Sequence, residues 1–593
     1  MIKLLGLQRT VWLCVVAAIG IVVVGVVFTS SRNGHDESAG QPAAVDAGLE
    51  QAGNIHLTDV TKESGITFRH DDGGSGEKYL VEPVSAGLAL LDFDGDGLID
   101  IYFVNGAPLP PRKADPTITN ALYLNEGDFH FRDVTREAGV GDPGHGLGVA
   151  VADYDNDGDP DIYVNNFGPN VLYRNNGDGT FDDVTDRAGV ACGNRVGAGA
   201  CFLDADGDGL LDLYVSNYVD IQIENHVRRM IDGYPSYPGP LSYKPVADVL
   251  YSNKGDGTFT DVSEASGVGQ VAGNGMGMVC ADCDNDGDTD IFVVNDGVGN
   301  YFFENDGSGR FEEVGVLLGL AYNFAGSPLA NMGVDCADYD NDGWLDFYTT
   351  SYSHEWPVLY RNQEGGFFED VTSITGAGAG LEPHVNWGPA FADFDNDGDR
   401  DLFVAVGHLD QNIRRRDSNT AFRARNVLLS NSGDGRFVNV SDRCGDGLDS
   451  VESSRGIGLD DLDNDGDSDV IILNSRAGAT ILRNDTENVN HWLQVELRGT
   501  QANGNGVGSQ VRVTAGGRTQ LDEVHSGRGY QSHHGMRLHF GLGGCDRVDR
   551  IEVRWLGGGT QVIEDIGADQ LVVVVEGSDA VAASPVRGRG LHE

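Results

Sequence analysis

The pattern D-x-D-x-D-G-x-x-D occurs seven times, and nothing else constrains this chain so tightly. The copies start at Asp92, Asp153, Asp204, Asp282, Asp338, Asp393 and Asp461. Aspartate holds positions 1, 3, 5 and 9 of every copy, and glycine holds position 6. Each carboxylate makes its neighbour harder to ionise, so such crowding needs a counter-charge. Five residues before each loop stands a glycine (Gly87, Gly148, Gly199, Gly277, Gly333, Gly388, Gly456). Two residues before it stands an apolar side chain (Leu90, Val151, Phe202, Cys280, Cys336, Phe391, Leu459). Cys280 therefore occupies a buried strand slot as a small hydrophobe, and "CADC" is not read as a metal or redox pair.

The flanks repeat as well. After each loop comes a β-branched and aromatic run such as "DIYVNN". An "LYxN" strand, an Asn-Gly or Asp-Gly turn and a further strand follow it. The turn asparagine recurs as Asn125, Asn175, Asn253, Asn305, Asn362, Asn431 and Asn484. One unit is four antiparallel strands, with the acidic loop joining the first to the second. Seven such units predict an all-β chain whose main domain is a seven-bladed β-propeller, spanning residues 55–488. The glycine before each loop is expected on the innermost strand, where a Cβ would crowd the next blade. "HLTDVTKESGI", from residue 56, matches a fourth strand without the three before it. It is expected to complete the last blade and close the ring.

The loop spacing also names a ligand. With glycine at position 6, side chains 1, 3, 5 and 9 and the position-7 carbonyl can converge on one point, as the hard oxygen donors that calcium takes. The expected ligands are Asp92, Asp94, Asp96 and Asp100; Asp153, Asp155, Asp157 and Asp161; Asp204, Asp206, Asp208 and Asp212; and Asp282, Asp284, Asp286 and Asp290. The remaining blades supply Asp338, Asp340, Asp342 and Asp346; Asp393, Asp395, Asp397 and Asp401; and Asp461, Asp463, Asp465 and Asp469. An EF-hand is excluded, because position 12 is Phe103, Val164, Val215, Val293, Thr349, Val404 or Ile472 rather than glutamate. No copy departs from the rule, so the sites read as structural rather than catalytic.

The propeller pattern resembles the FG-GAP/VCBS repeat of integrin-α-type propellers. The segment beginning "NGNGVGSQVRVTAGGRTQ" and running through "SGRGYQS" to "HFGLG" and "VDRIEVRW" resembles the ASPIC/UnbV domain. Together they resemble the cartilage acidic protein 1 type family. The resemblance implies an exported calcium-binding propeller followed by a small β-rich domain at 489–576, and it implies no reaction.

The ends and the charge complete the picture. Lys3 and Arg9 precede an apolar run from Val11 to Phe28, read as an apolar helix and signal anchor over 1–28, or a signal peptide if cleaved. Residues 29–54 read as a polar linker and 577–593 as a flexible tail. This places the chain outside the cytoplasm, with the membrane met only through the N-terminal helix. A formal charge of −52 excludes electrostatic binding to nucleic acid, and seven calcium ions would bring it only to −38.

Other constellations are weaker. His145, Asn274, His384 and Trp387 precede inner strands and are expected near the mouth of the central channel, a place for a ligand pocket. Arg414, Arg415 and Arg416, with Arg423 and Arg425 nearby, form a basic island suited to carboxylates or sulfated glycans, although a solvated loop pairing with neighbouring Asp is the favoured reading. His525, His533, His534 and His539 read as surface histidines of the C-terminal domain. No H-E-x-x-H, Walker A or G-x-S-x-G motif is present. The leading expectation is a binding or scaffold module for a protein or glycan partner. The alternative is an enzyme with a pocket in the central channel or the C-terminal domain.

Overall fold

The computed structural model describes residues 55–578 and the backbone of 581–584. The expected signal anchor and the whole of the expected linker lie outside these residues. Among the described residues no helix is long and apolar enough to cross a membrane.

Each repeat folds as an antiparallel four-stranded sheet in sequence order. The first blade pairs Leu88–Leu91, Asp100–Phe103, Ala121–Asn125 and Phe131–Asp133. Blades two and three merge at one edge, where Arg195 and Val196 pair with Gly168 and Phe167. The last blade has the order Leu57–Asp59, Thr480–Asn484, Asp469–Asn474 and Ser454–Asp460. Leu57 lies opposite Asn484, so the N-terminal strand completes the seventh sheet as its outer strand. The innermost strands pack side by side in sequence order, and Ser454–Asp460 packs against Leu88–Leu91 to close the ring.

Alternation explains the packing. Inner and second strands bury residues on both faces, because each sheet is sandwiched between two neighbours. Ala89, Leu91, Tyr102 and Val104 of blade one meet Val149, Val151, Ile162 and Val164 of blade two in one such layer. The glycine rule has a steric cause. A Cβ on Gly148 would lie 2.2 Å from the Ala198 carbonyl oxygen of the next blade.

The C-terminal domain is a pair of four-stranded sheets. One has the order Leu538–Gly543, His491–Arg498, Gln570–Val575, Val581–Ser584, with the middle two parallel. The other has the order Arg518–Glu523, Gln510–Ala515, Arg547–Arg554, Thr560–Gly567. The strand Val581–Ser584 lies within the segment expected as a flexible tail. It forms because the edge of Gln570–Val575 offers it a ladder.

Candidate metal centres and the filled channel

Each acidic loop is shaped by two left-handed positions. Position 4 is Asn or Gly and position 6 is Gly, as in Asn156 (φ +56°) and Gly158 (φ +100°). This turns backbone amides inward to organise the carboxylates. Asp153 accepts Asp157 N at 3.0 Å and Gly158 N at 2.9 Å. Asp161 accepts Tyr154 N at 3.1 Å and Asn175 N at 2.8 Å, holding the loop end against the hairpin turn. Asp204, Asp338, Asp393 and Asp461 repeat the position-1 pattern.

The remaining oxygens converge. Carboxylate oxygens of Asp92, Asp94 and Asp96 lie within 4.8 Å of one another, as do those of Asp153, Asp155 and Asp161. The same holds for the Asp204, Asp282 and Asp338 loops. The buried oxygens Asp155 Oδ1, Asp282 Oδ1 and Asp340 Oδ1 have no hydrogen-bond partner among the described residues. Burial, followed by neighbouring aspartates, pushes these carboxyls up. Asp153, Asp204 and Asp282 rise to about 6, Asp338 to about 7, and Asp100 and Asp212 to about 8. Buried, preorganised, all-oxygen donor sets with orphaned lone pairs fit a hard dication.

The turn asparagines do more than shape a turn. Asn253 Nδ2 donates to the Leu211 carbonyl of its own blade and to the Tyr154 carbonyl of the preceding blade's loop, both at 2.9 Å. Asn125, Asn175, Asn305, Asn362, Asn431 and Asn484 do the same around the ring. Their recurrence was visible in the sequence; the partner across the blade boundary was not.

The C-terminal domain sits on the acidic-loop face. Gln494 Nε2 donates to Asp461 Oδ2 at 2.9 Å, Arg554 pairs with Asp282 at 3.1 Å, and Arg518 pairs with Asp399. From this domain the segment 524–536, "VHSGRGYQSHHGM", enters the central channel. Gly529 exchanges two backbone bonds with Val334 of blade five, at 2.8 and 3.0 Å. Val149 of blade two donates to Gln531 O at 3.2 Å, and His533 bonds Leu88 and Leu90 of blade one. Ser526 reaches Val151 O at 2.6 Å, and Tyr530 Oη reaches Val84 O at 2.7 Å. A Cβ on Gly87 would lie 1.6 Å from Gln531 O, so this plug needs the inner glycine as much as the blades do.

The family described as "FG-GAP-like repeat" matches residues 92–164, 154–215, 243–293, 282–349 and 338–404, and "ASPIC and UnbV" matches 499–581. The chain carries FG-GAP-like repeats and an ASPIC and UnbV domain. Its curated relatives include cartilage acidic protein 1 of Xenopus tropicalis, 27% identical over 349 residues, covering 54% of this chain and 48% of the relative. The Homo sapiens protein of that name is 26% identical over 351 residues, covering 54% and 47%. The chain thus spans about half the length of the curated relatives it matches. Among solved structures, an Agrocybe aegerita lectin is similar at a TM-score of 0.35 and 19% identity, covering 60% of this chain and 79% of that one.

The FG-GAP propeller and its ASPIC/UnbV plug revise several expectations. The segment 524–536 occupies the channel between the inner strands. His145, Asn274 and Trp387 are buried. His145 Nδ1 lies against the Ala107 backbone, and Asn274 Nδ2 donates to Asp296 O. Trp387 donates to Gly407 O at 2.6 Å, beneath the Arg455 guanidinium, 3.9 Å from the ring centroid. His384 stays half-buried beside Thr420, apart from these. The arginine island is dispersed. Arg416 pairs with Asp410, Arg415 lies over Tyr234, Arg423 pairs with Glu452, Arg425 with Asp442, and Arg414 is exposed.

The four C-terminal histidines are buried, not on the surface. His525 contacts Cys280 O at 2.9 Å and Cys336 Sγ at 3.4 Å, and His533 accepts Gly527 N at 3.1 Å. Burial lowers their pKa values, to about 4 for His525 and about 3 for His533 and His539. The expectation failed because this polar segment is buried by insertion into another domain, which no local pattern signals.

Proposed function

We propose that the chain is an exported, calcium-stabilised propeller, held at the membrane by its apolar segment 11–28, that serves as a binding or scaffold module for a protein or glycan partner. One observation carries the reading: the plug fills the channel while the ASPIC/UnbV domain covers the acidic-loop face. What remains for a partner is the opposite face, where the connections 70–84, 105–120, 218–248 and 408–426 emerge. These are long loops on a rigid ring, the usual arrangement for recognition.

Calcium would be held by the aspartates at positions 1, 3, 5 and 9 of each loop. When bound it supplies the positive charge that lets these buried carboxylates ionise together. The loops themselves keep their oxygens converged through the left-handed positions and the backbone amides. With extracellular calcium in the millimolar range, even sites of about 10⁻⁴–10⁻³ M fill.

The test is thermal unfolding of the full chain in millimolar calcium, in magnesium and after chelation. A rise specific to calcium supports the reading. Equal melting in all three removes the structural-ion part of it. Partner screens on protein and glycan arrays then follow in calcium.

A further inference from the structure

On the face opposite the acidic loops lies a cavity of about 510 Å³. It is assembled from four segments remote in sequence: 70–82, Arg112, Gln411–Asn412 and Arg476. Every residue lining it is polar, charged or glycine. Arg112 forms a bidentate pair with Asp71, both bonds at 2.7 Å, and Arg476 pairs with the buried Asp72. Glu82, 1% exposed, is held by Ser75 at 2.7 Å and by Tyr237 Oη at 3.1 Å.

One cation stands apart from this paired set. Lys78 is half-buried, its ammonium 4.4 Å above the Tyr237 ring. It has no hydrogen bond or ion pair of its own among the described residues. Its backbone sits at φ +65°, a left-handed conformation rare for lysine. Strain of this kind is retained where the surroundings over-determine it, and it clusters at ligand sites. Burial lowers the Lys78 pKa, and the carboxylates of Asp410, Glu82 and Asp72 oppose that shift from a distance.

We propose that this cavity binds a carboxylate-bearing sugar, a hexuronate unit of an acidic glycan, with the carboxylate on Lys78. The Gln411 and Asn412 amides and the flanking Arg–Asp pairs would take its hydroxyls. The proposal rests on the binding-module reading and names one ligand class for it. The chemistry selects among ligands. With no aliphatic residue in its lining the cavity suits a polar ligand better than a lipid or an apolar side chain. Arg–carboxylate pairs set donors beside acceptors, which suits vicinal hydroxyls. Lys78 is the cation here without a direct ion pair, and with Asp410, Glu82, Asp72 and Asp71 close by a monoanion meets less repulsion than a phosphate dianion would.

The test is calorimetric titration of the full chain in calcium with a glucuronate-containing oligosaccharide and with its carboxyl-reduced counterpart. The acidic form is expected to bind, and reduction to weaken it at least about tenfold, since a desolvated charge-assisted bond is lost. Lys78→Met is expected to weaken the acidic ligand equally while leaving the reduced one unchanged. Gln411→Ala, at an exposed position, serves as a second variant with an expected loss of roughly fivefold, about one hydrogen bond. Equal binding of the two sugars, tighter binding of a sugar phosphate, or acidic-sugar affinity unchanged in both variants overturns the proposal. If calcium raises the melting temperature and no acidic sugar binds, this proposal fails alone. If calcium has no effect on melting, the broader reading fails with its structural ions.

Discussion

Asn175 Nδ2 donates to the Phe93 carbonyl oxygen at 2.8 Å, so the hairpin of one blade is bonded to the acidic loop of the blade before it. The equivalent bond in the next blade, Asn253 to Tyr154 O, is buried and comes with a second to Leu211 O. Removing both donors strands two buried carbonyls. Asn253→Ala is expected to cost about 2–3 kcal/mol in urea unfolding with calcium present, while Asn176→Ala, at an exposed turn position, costs almost nothing. Equal effects would mean that the blades are held by apolar packing alone.

The acidic loops differ in burial. In the sixth, Asp393, Asp395, Asp399 and Asp401 are buried; in the first, Asp94 and Asp96 are exposed. A cation relieves more repulsion where water screens it less. Asp395→Ala should therefore lower the melting temperature in calcium by a roughly twofold greater amount than Asp94→Ala. The two variants should converge after chelation. Identical losses would indicate equivalent sites.

Much of this architecture could be read along the chain, because the repeat is local. The period, the glycine before each loop and the orphan strand that pairs Leu57 with Asn484 are all properties of short windows. What escaped reading depends on contacts between distant windows. The plug sequence around Tyr530 is polar and glycine-rich, and it is buried because the inner strands of blades one to five and seven supply hydrogen bonds to it. The Lys78 cavity joins residues about 400 positions apart, as in the pairing of Asp72 with Arg476, and carries no motif. Asn175 had a sufficient local explanation, since its Oδ1 accepts Gly177 N at 3.0 Å, and that masked its reach to the neighbouring blade.

Stability should fall as the pH rises from 6.5 to 8 when no cation is bound. The loop carboxyls have folded values of about 6 to 8, above an unfolded value near 3.9. The folded chain then holds protons that the unfolded chain has lost, so lowering the pH from 8 to 6.5 stabilises it. Below 6.5 the unfolded histidines protonate, while buried His70, His533 and His539 stay neutral down to about 3. That offsets part of the carboxyl gain, which persists until the unfolded carboxyls protonate at about 3.9. Melting of the chelated chain should rise from pH 8 to 6.5 and less steeply below it, and saturating calcium should abolish the rise between 8 and 6.5. A melting temperature that climbs steadily from 6.5 to 8 after chelation would contradict these carboxyl values.

The plug carries its own charge into the ring. Arg528 NH1 lies 3.6 Å from Asp335 Oδ1 of blade five, and Asp335 is fully buried, with its other oxygen accepting Phe391 N at 2.8 Å. Burying such a pair gains little over an apolar contact, but removing one partner leaves a charge with nothing to answer it. Arg528→Leu should therefore cost about 3–5 kcal/mol in urea unfolding with calcium present. Adding Asp335→Asn removes the stranded charge while keeping an acceptor for Phe391 N, so the double variant should recover much of that loss. Limited proteolysis gives the structural counterpart: the Arg528→Leu chain should be cut within 524–536, and the double variant should resist. Additive losses in the two variants would mean that Arg528 and Asp335 act separately and that backbone bonds such as Gly529 to Val334 hold the plug unaided.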